Sequence, residues 1–425
     1  MFTIETIADS FNFPTSVAFG EDETIYVAES GLPFGGAPPG GRIWKLGPGA
    51  QRTCLIDGLR PPVNGLVFHE GCLIVSEGGY PGRIGRFELA SNSYEPIVDG
   101  LPGFGNYQTN MVAVGNDGKF YFSQGAMTNS GIIGLDSYDL GWLKHVPHAC
   151  DIPGYDIVLG GVSARTPDPR GGTAITGAFA PFGNAHPEGH SIKGRVPCTS
   201  AVMRCNPDGS ELELVAWGLR NAYGLCFTSD GRLLAIDQGA DARGSRPLAN
   251  CPDALFEVRP GAWYGWPDFV CGRPVHSPQF APLEGPKPSF VLRNHAQLPP
   301  PEQPLFEFDV NAAAVKFDIV PPMNRVFESD CEGHLIVALF GDEKPLTGPA
   351  GPRVGRVLLR IDPHDWSAHP IPLFGLSRPI DVRFSPSREP FVVDFGEFEI
   401  TLDKGVSAKP ATGKLLQLKF SATEV

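Results

Sequence analysis

The chain has 425 residues and carries 47 acidic against 34 basic side chains, a formal net charge of −13. That balance argues against nucleic acid and anionic membrane surfaces as partners, and the sequence contains no apolar run long enough for a membrane-spanning helix. Its 52 glycines and 43 prolines belong to a fold of short strands and many turns. In chain order, Met1-Phe2-Thr3-Ile4-Glu5 lacks the basic and apolar regions of a signal peptide. The chain as it stands is therefore expected in the cytoplasm, and in the periplasm if it is a mature or trimmed form. Phe2 to Ile7 reads as a strand with no hairpin partner of its own.

Six copies of one pattern follow, at 14–31, 63–78, 109–125, 221–239, 324–341 and 378–396. Each has a polar turn, an apolar strand, a Gly or Asp turn, and a second apolar strand ending near an acidic or amide residue. Ile25-Tyr26-Val27-Ala28-Glu29 parallels Leu73-Ile74-Val75-Ser76-Glu77 and Phe391-Val392-Val393-Asp394. A third strand follows each copy, as in Gly41 to Leu46 and Arg356 to Ile361. A small sheet cannot bury its own faces, so such repeats predict an all-β, six-bladed β-propeller. Blades added around one axis make residues 1–425 a single domain. Pairing the N-terminal strand into the last blade closes the ring and removes its free edge.

Two long insertions break the rhythm, at about 130–197 and 260–322, and both are expected on one rim over the central funnel. The first carries His145, His148, His186 and His190 with Asp151, Asp156, Asp168 and Glu188. Four imidazoles would suit a divalent metal, but Pro147 and Pro187 break any helix that would align them. Solvent-facing or hydrogen-bonded loop histidines are the plainer reading. The nine cysteines show no CxxC pair, which points to buried thiols and leaves open a single bridge, Cys198 to Cys205 or Cys251 to Cys271. Fold geometry also brings Glu29, Glu77, Gln124, Asp237 and Asp394 to one repeat position, and Thr15, Asn64, Asn110, Asn221, Asn324 and Arg378 to another. Such rings would hold a hard cation or a polyhydroxylated ligand; equally, they would tie the backbone together.

The most specific stretch reads Gly218-Leu219-Arg220-Asn221-Ala222-Tyr223-Gly224-Leu225, then Asp237-Gln238-Gly239-Ala240-Asp241, then Trp263-Tyr264-Gly265-Trp266-Pro267. These blocks resemble the glucose/sorbosone dehydrogenase family, the soluble PQQ- and calcium-dependent propellers. Gly333 to Gly341 and Ser377 to Val382 are similar to it as well. The resemblance implies that Arg220 and Asn221 lie beside PQQ, that Gln238 and Arg378 contact it, and that Lys344 is a looser match for the family's lysine. It also implies a calcium ion on the carbonyls of Gly239 and Ala240, with Asp241 in the metal site and Asp253 as what remains of the acidic calcium motif. A trianionic quinone needs fixed cations, and an arginine fork suits its carboxylates.

The chain departs from the family at three places. Tyr107 stands where the family has its base histidine, Ile380 where it has a second arginine, and Ala254 where it has a second acidic residue. A tyrosine of ordinary pKa, about 10, is a weak base at neutral pH. Either a neighbouring cation tunes Tyr107, or a histidine of the first insertion such as His186 or His190 replaces it, or alcohol oxidation is gone. Three readings follow. The first is a PQQ- and calcium-dependent dehydrogenase for a small polar sugar or alcohol. The second is a lyase, isomerase or hydrolase without PQQ, using a divalent metal or a tyrosine/histidine pair. The third is a propeller that only binds a ligand.

Overall fold

The computed structural model describes residues 2–341, 354–401 and 405–420. Six four-stranded antiparallel sheets form the blades. Blade one is Pro14–Phe19, Ile25–Glu29, Gly41–Leu46 and Arg52–Leu59, and blade two is Val63–His69, Cys72–Glu77, Gly82–Glu88 and Ser93–Leu101. Blade three is Thr109–Val114, Phe120–Gln124, Ala201–Cys205 and Glu213–Trp217, and blade four is Ala222–Phe227, Leu233–Asp237, Ala254–Val258 and Phe306–Glu307. Blade five is Ala314–Ile319, Leu335–Leu339, Val357–Ile361 and Ala368–Pro370. Blade six is Pro379–Phe384, Pro390–Asp394 and Gly413–Phe420, completed by Phe2–Phe11.

The second strands explain why the blades need one another. Cys72–Glu77 and Leu335–Leu339 are buried at every position, because a neighbouring blade covers each face of the sheet. Ring closure follows the sequence expectation: Phe2–Phe11 pairs antiparallel with Gly413–Phe420, with Ile4 opposite Leu418 and Thr6 opposite Leu416.

Blade five departs from the sequence reading. Its inner strand is Ala314–Ile319, paired with Leu335–Leu339, and not a strand starting near Asn324. Asn324 lies in the long connection between them, where its side-chain oxygen caps the amides of Val326 (3.1 Å) and Phe327 (2.7 Å). Lys316 in mid-strand conceals the apolar pattern. The second insertion accordingly ends before Phe306–Glu307, not at residue 322. All nine cysteines are free, and seven of them are buried, so neither candidate disulfide forms.

The two polar rings are structural. At the ends of the second strands, Glu29 accepts the amide of Asn12 (2.7 Å) and Glu77 that of Arg60 (2.5 Å). Asp237 accepts those of Arg220 and Asn221, and Asp394 those of Ser377 and Arg378. Each carboxylate thus clamps the turn entering its own blade. The second ring links blades. Thr15 donates to Val63 O (2.6 Å), Asn64 to Thr109 O (3.3 Å), and Asn110 to Ala222 O (3.5 Å). Each acceptor belongs to the inner strand of the next blade. The carboxamides also join into a chain, Asn64 to Asn110 to Asn221 to Gln238, which ends on Ala314 O.

Lys316 completes this girdle. From blade five it reaches across the axis to Thr15 O (2.6 Å), Ser16 Oγ (2.6 Å) and Asn64 O (2.5 Å) of blades one and two. Its nitrogen also lies 5.5 Å from the Tyr223 ring centre. The side chain is fully buried, and that burial pulls its pKa from 10.5 down to about 8.

Two outcomes are expected. Deleting residues 2–11 should expose the edge of Gly413–Phe420 and abolish cooperative unfolding at the wild-type temperature; a melting curve checks this. The lowered pKa of Lys316 means that the unfolded chain holds a proton which the folded chain releases between about pH 8 and pH 10.5, so this group adds stability as pH rises through that window. Lys316→Met should remove that increment, seen as the difference between the two proteins' denaturation-against-pH curves.

Candidate functional site

The starts of the inner strands face the rim that carries the insertions. Tyr107 precedes the inner strand of blade three and Arg220 that of blade four, at equivalent positions one blade apart. Asp241 and Arg243 lie on the 238–253 loop of blade four, and Asp136 lies on the short helix Leu135–Asp139 of the first insertion. These five side chains form one cluster. The Tyr107 hydroxyl accepts hydrogen bonds from Arg220 Nη2 and from Arg243 Nη2 (2.8 Å), and it donates to Asp241 Oδ2 (3.2 Å). The Arg220 guanidinium also lies over the Tyr107 ring, 4.2 Å from its centre. Asp241 pairs with both arginines at 2.9 Å, and Asp136 takes Arg243 from the other side.

Charge in this cluster is buried and compensated. Burial works against the Arg220 cation, but Tyr107 and Asp241 outweigh it and hold its pKa above the usual arginine value. Arg243 is shifted upward for the same reasons. Beneath them, burial pushes Asp237 up to about 7, against the pull of the Asn221 and Arg220 amides. Asp253 is pushed up to about 6 in the same way.

Two guanidiniums and one carboxylate thus meet at a single phenol oxygen. The sequence reading did not include Arg243 or Asp136. Arg243 stands two residues beyond Asp241, close enough to the Gln238-Gly239 block to be noticed. Asp136 falls in an insertion with no repeat to locate it.

The roof over this cluster is fastened by a buried pair, Arg246 and Asp268, 2.8 Å apart. Arg246 also donates to Ser130 O of the first insertion and to Pro267 O and Ser289 O of the second. Asp268 accepts the amides of Val291 and Leu292 and sits 3.0 Å from His295 Nε2. A β-bridge between Leu159 and Leu292 joins the two insertions directly.

The remaining candidates are placed differently. His186 and His190 stack on each other at 4.1 Å, and among the described residues no hydrogen bond or ion pair joins them to the Tyr107 cluster. His145 and His148 are exposed. Among the described residues no group of three or more His, Cys, Asp or Glu is set to hold a metal ion. Lys344 lies outside the described residues.

The fit to PQQ and calcium can be judged donor by donor. Arg220 spends its fork on the protein: Nε on Asn129 O, Nη1 on Gln238 O and Gly239 O, and Nη2 on Tyr107, Asn129 and Asp241. Asn221 and Gln238 belong to the girdle. Arg378 is buried against Phe340 O, Gly341 O, Phe398 O and Glu399. Gly239 O, expected on calcium, takes Arg220 Nη1 at 2.5 Å, so a divalent ion there would face a guanidinium. Asp253 caps the amides of Gly239 (2.9 Å) and Ala314 (2.7 Å). In this arrangement the residues do not fit the quinone and its metal.

No family model and no curated protein matches the sequence. Solved structures do. A putative oxidoreductase (glucose dehydrogenase) from Thermus thermophilus is 15% identical over 98% of this chain and 100% of its own, with a TM-score of 0.57. The PQQ-bound aldose sugar dehydrogenase of Streptomyces coelicolor is 14% identical over 99% and 98%, TM-score 0.56. The PQQ domain of pyranose dehydrogenase from Coprinopsis cinerea, in its holo form, is 13% identical over 99% and 95%, TM-score 0.57. The chain shares the six-bladed propeller fold of these structures. At these identities the likeness is one of fold, and the chemistry of this propeller has to be argued from its own side chains.

Replacing Arg246 with Met would take the guanidinium from the buried Asp268 and leave it only the amides of Val291 and Leu292 and the ring of His295. Such a break costs about 3–5 kcal/mol. Denaturant unfolding should show that loss, and limited proteolysis should cut first within 259–305.

Proposed function

We propose that this propeller is an oxidoreductase-type enzyme for a small polar molecule, a sugar or alcohol. Its reaction centre is the cluster of Tyr107, Arg220, Asp241 and Arg243. The observation that carries this reading is the Tyr107 hydroxyl. It stands where the resemblance puts the catalytic histidine, and it takes hydrogen bonds from two arginines. When Tyr107 passes its own proton to Asp241, to which it donates, its oxygen can accept that of a substrate hydroxyl, with the two guanidiniums holding the negative charge. The fold neighbours named for aldose sugar and pyranose dehydrogenation support the substrate class.

Oxidising an alcohol also needs an acceptor for two electrons, and none of the side chains in this cluster is one. PQQ supplies that acceptor in the neighbours whose structures contain it. Here it would have to displace the protein partners of Arg220. The saturation of Arg220 favours a second reading, a lyase, isomerase or hydrolase without a redox cofactor. Tyr107 would then do acid–base work and the arginines would stabilise developing negative charge.

Titrating the purified protein with PQQ and calcium separates the two. A shift in quinone absorbance, with dye-coupled turnover of aldoses or alcohols, establishes the dehydrogenase. Absence of quinone binding eliminates it and leaves the proton-transfer enzyme. Under either reading, Tyr107→Phe should lower kcat about a hundredfold or more with little change in KM. A wild-type rate would remove Tyr107 from the chemistry.

A further inference from the structure

The girdle around Lys316 closes the axis, and beyond it the channel opens again at the rim opposite the insertions. There the far ends of the inner strands enclose a cavity of about 460 Å³. Its wall is mostly apolar, with Phe19, Leu66, Phe68, Leu225, Phe227 and Phe384 among the lining residues. The cationic group in it is Arg383, whose side chain is 15% exposed. From blade six Arg383 extends across the axis, and its Nη2 approaches Met111 Sδ of blade three at 3.6 Å.

Arg383 differs from the other buried arginines. Arg220, Arg246 and Arg378 fill their forks with carbonyl and carboxylate oxygens. Arg383 has Asp381 Oδ1 3.2 Å from Nε. Among the described residues no oxygen accepts a hydrogen bond from its Nη1 or Nη2; a thioether sulfur is a weak acceptor. Apart from that Asp381 Oδ1 contact, the nearby carboxylate oxygens are taken by the protein. Asp381 Oδ2 takes the Val17 amide, and Asp318 takes the amides of Ile319 and Phe384 and the Cys226 thiol. The fork, with the Cys226 thiol and the Met111 thioether beside it, lies in the cavity wall.

We propose that this half of the channel is a second binding site, for a small monocarboxylate with an apolar body, distinct from the Tyr107 centre. The carboxylate takes both Nη groups of Arg383 in a bidentate pair, and the apolar body lies against the phenylalanine wall. A cleft with apolar walls and one convergent charged group is the usual form of a small-molecule site. One negative charge suits it, because a di- or trianion would meet Asp381 and Asp318 behind the single fork.

Isothermal titration with benzoate and hexanoate tests this, with benzyl alcohol and inorganic sulfate as controls. The wild-type protein should bind at least one acid saturably at a single site, and more tightly than either control. Arg383→Gln should weaken that binding about tenfold or more. Arg383→Lys keeps the charge opposite Asp381 and should also bind more weakly, since it lacks the fork. This comparison decides the matter even if the Gln variant does not fold. The proposal is overturned if neither acid binds the wild type, if Arg383→Lys binds as the wild type does, or if benzyl alcohol or sulfate binds as tightly as the acids.

Discussion

Everything in this ring depends on how the free edges of its six inner strands are satisfied. A strand facing an axial channel has no partner on one side, and its buried carbonyls must find donors. Here the donors are side chains handed from blade to blade. Thr15 serves Val63 O, Asn64 serves Thr109 O, Asn110 serves Ala222 O, and Gln238 serves Ala314 O. Lys316 then ties blade five to blades one and two on the far side of the axis. A fully buried ammonium is costly, and three oxygen acceptors with an aromatic face are what make it tolerable at this position.

The same economy governs the rim. The insertions have little regular structure of their own beyond two short helices and a few strand pairs. Their placement comes instead from single polar residues that gather several backbone groups at once. Arg246 holds Ser130, Pro267 and Ser289 together, and Asp151 gathers Met127, Thr128 and Thr199 beneath the first insertion. Burial raises the Asp151 carboxyl to about 6. Loops fixed in this way can present side chains such as Asp136 to Arg243 with the positional accuracy of a strand.

The blade count and the closing strand were legible in the sequence because each follows from a repeat, whereas Tyr107 and Arg220 were singled out by the family resemblance. Identical positions in a repeat fall at identical places around the ring. Blade five shows the limit. Ala312-Ala313-Ala314-Val315-Lys316 does not look like an inner strand, since a lysine normally marks solvent. Only the three-dimensional crossing to blades one and two explains it. Arg243 and Asp136 were hidden for a related reason, as non-repeating loops carry no register by which to place them. Apart from Asn324, the two polar rings were legible as positions but not as roles. A carboxylate at a strand end reads the same whether it meets a metal or the amide of Arg220 or Ser377.

The girdle has a further consequence for traffic. With Lys316 and the carboxamide chain drawn across the axis, the ring is not a pipe but two cups set base to base. Under the function proposed, product and incoming substrate would share the rim of the insertions and exchange in turn. An occupant of the Arg383 cavity, as proposed, would be linked to Tyr107 through the hydrogen bonds of that shared base.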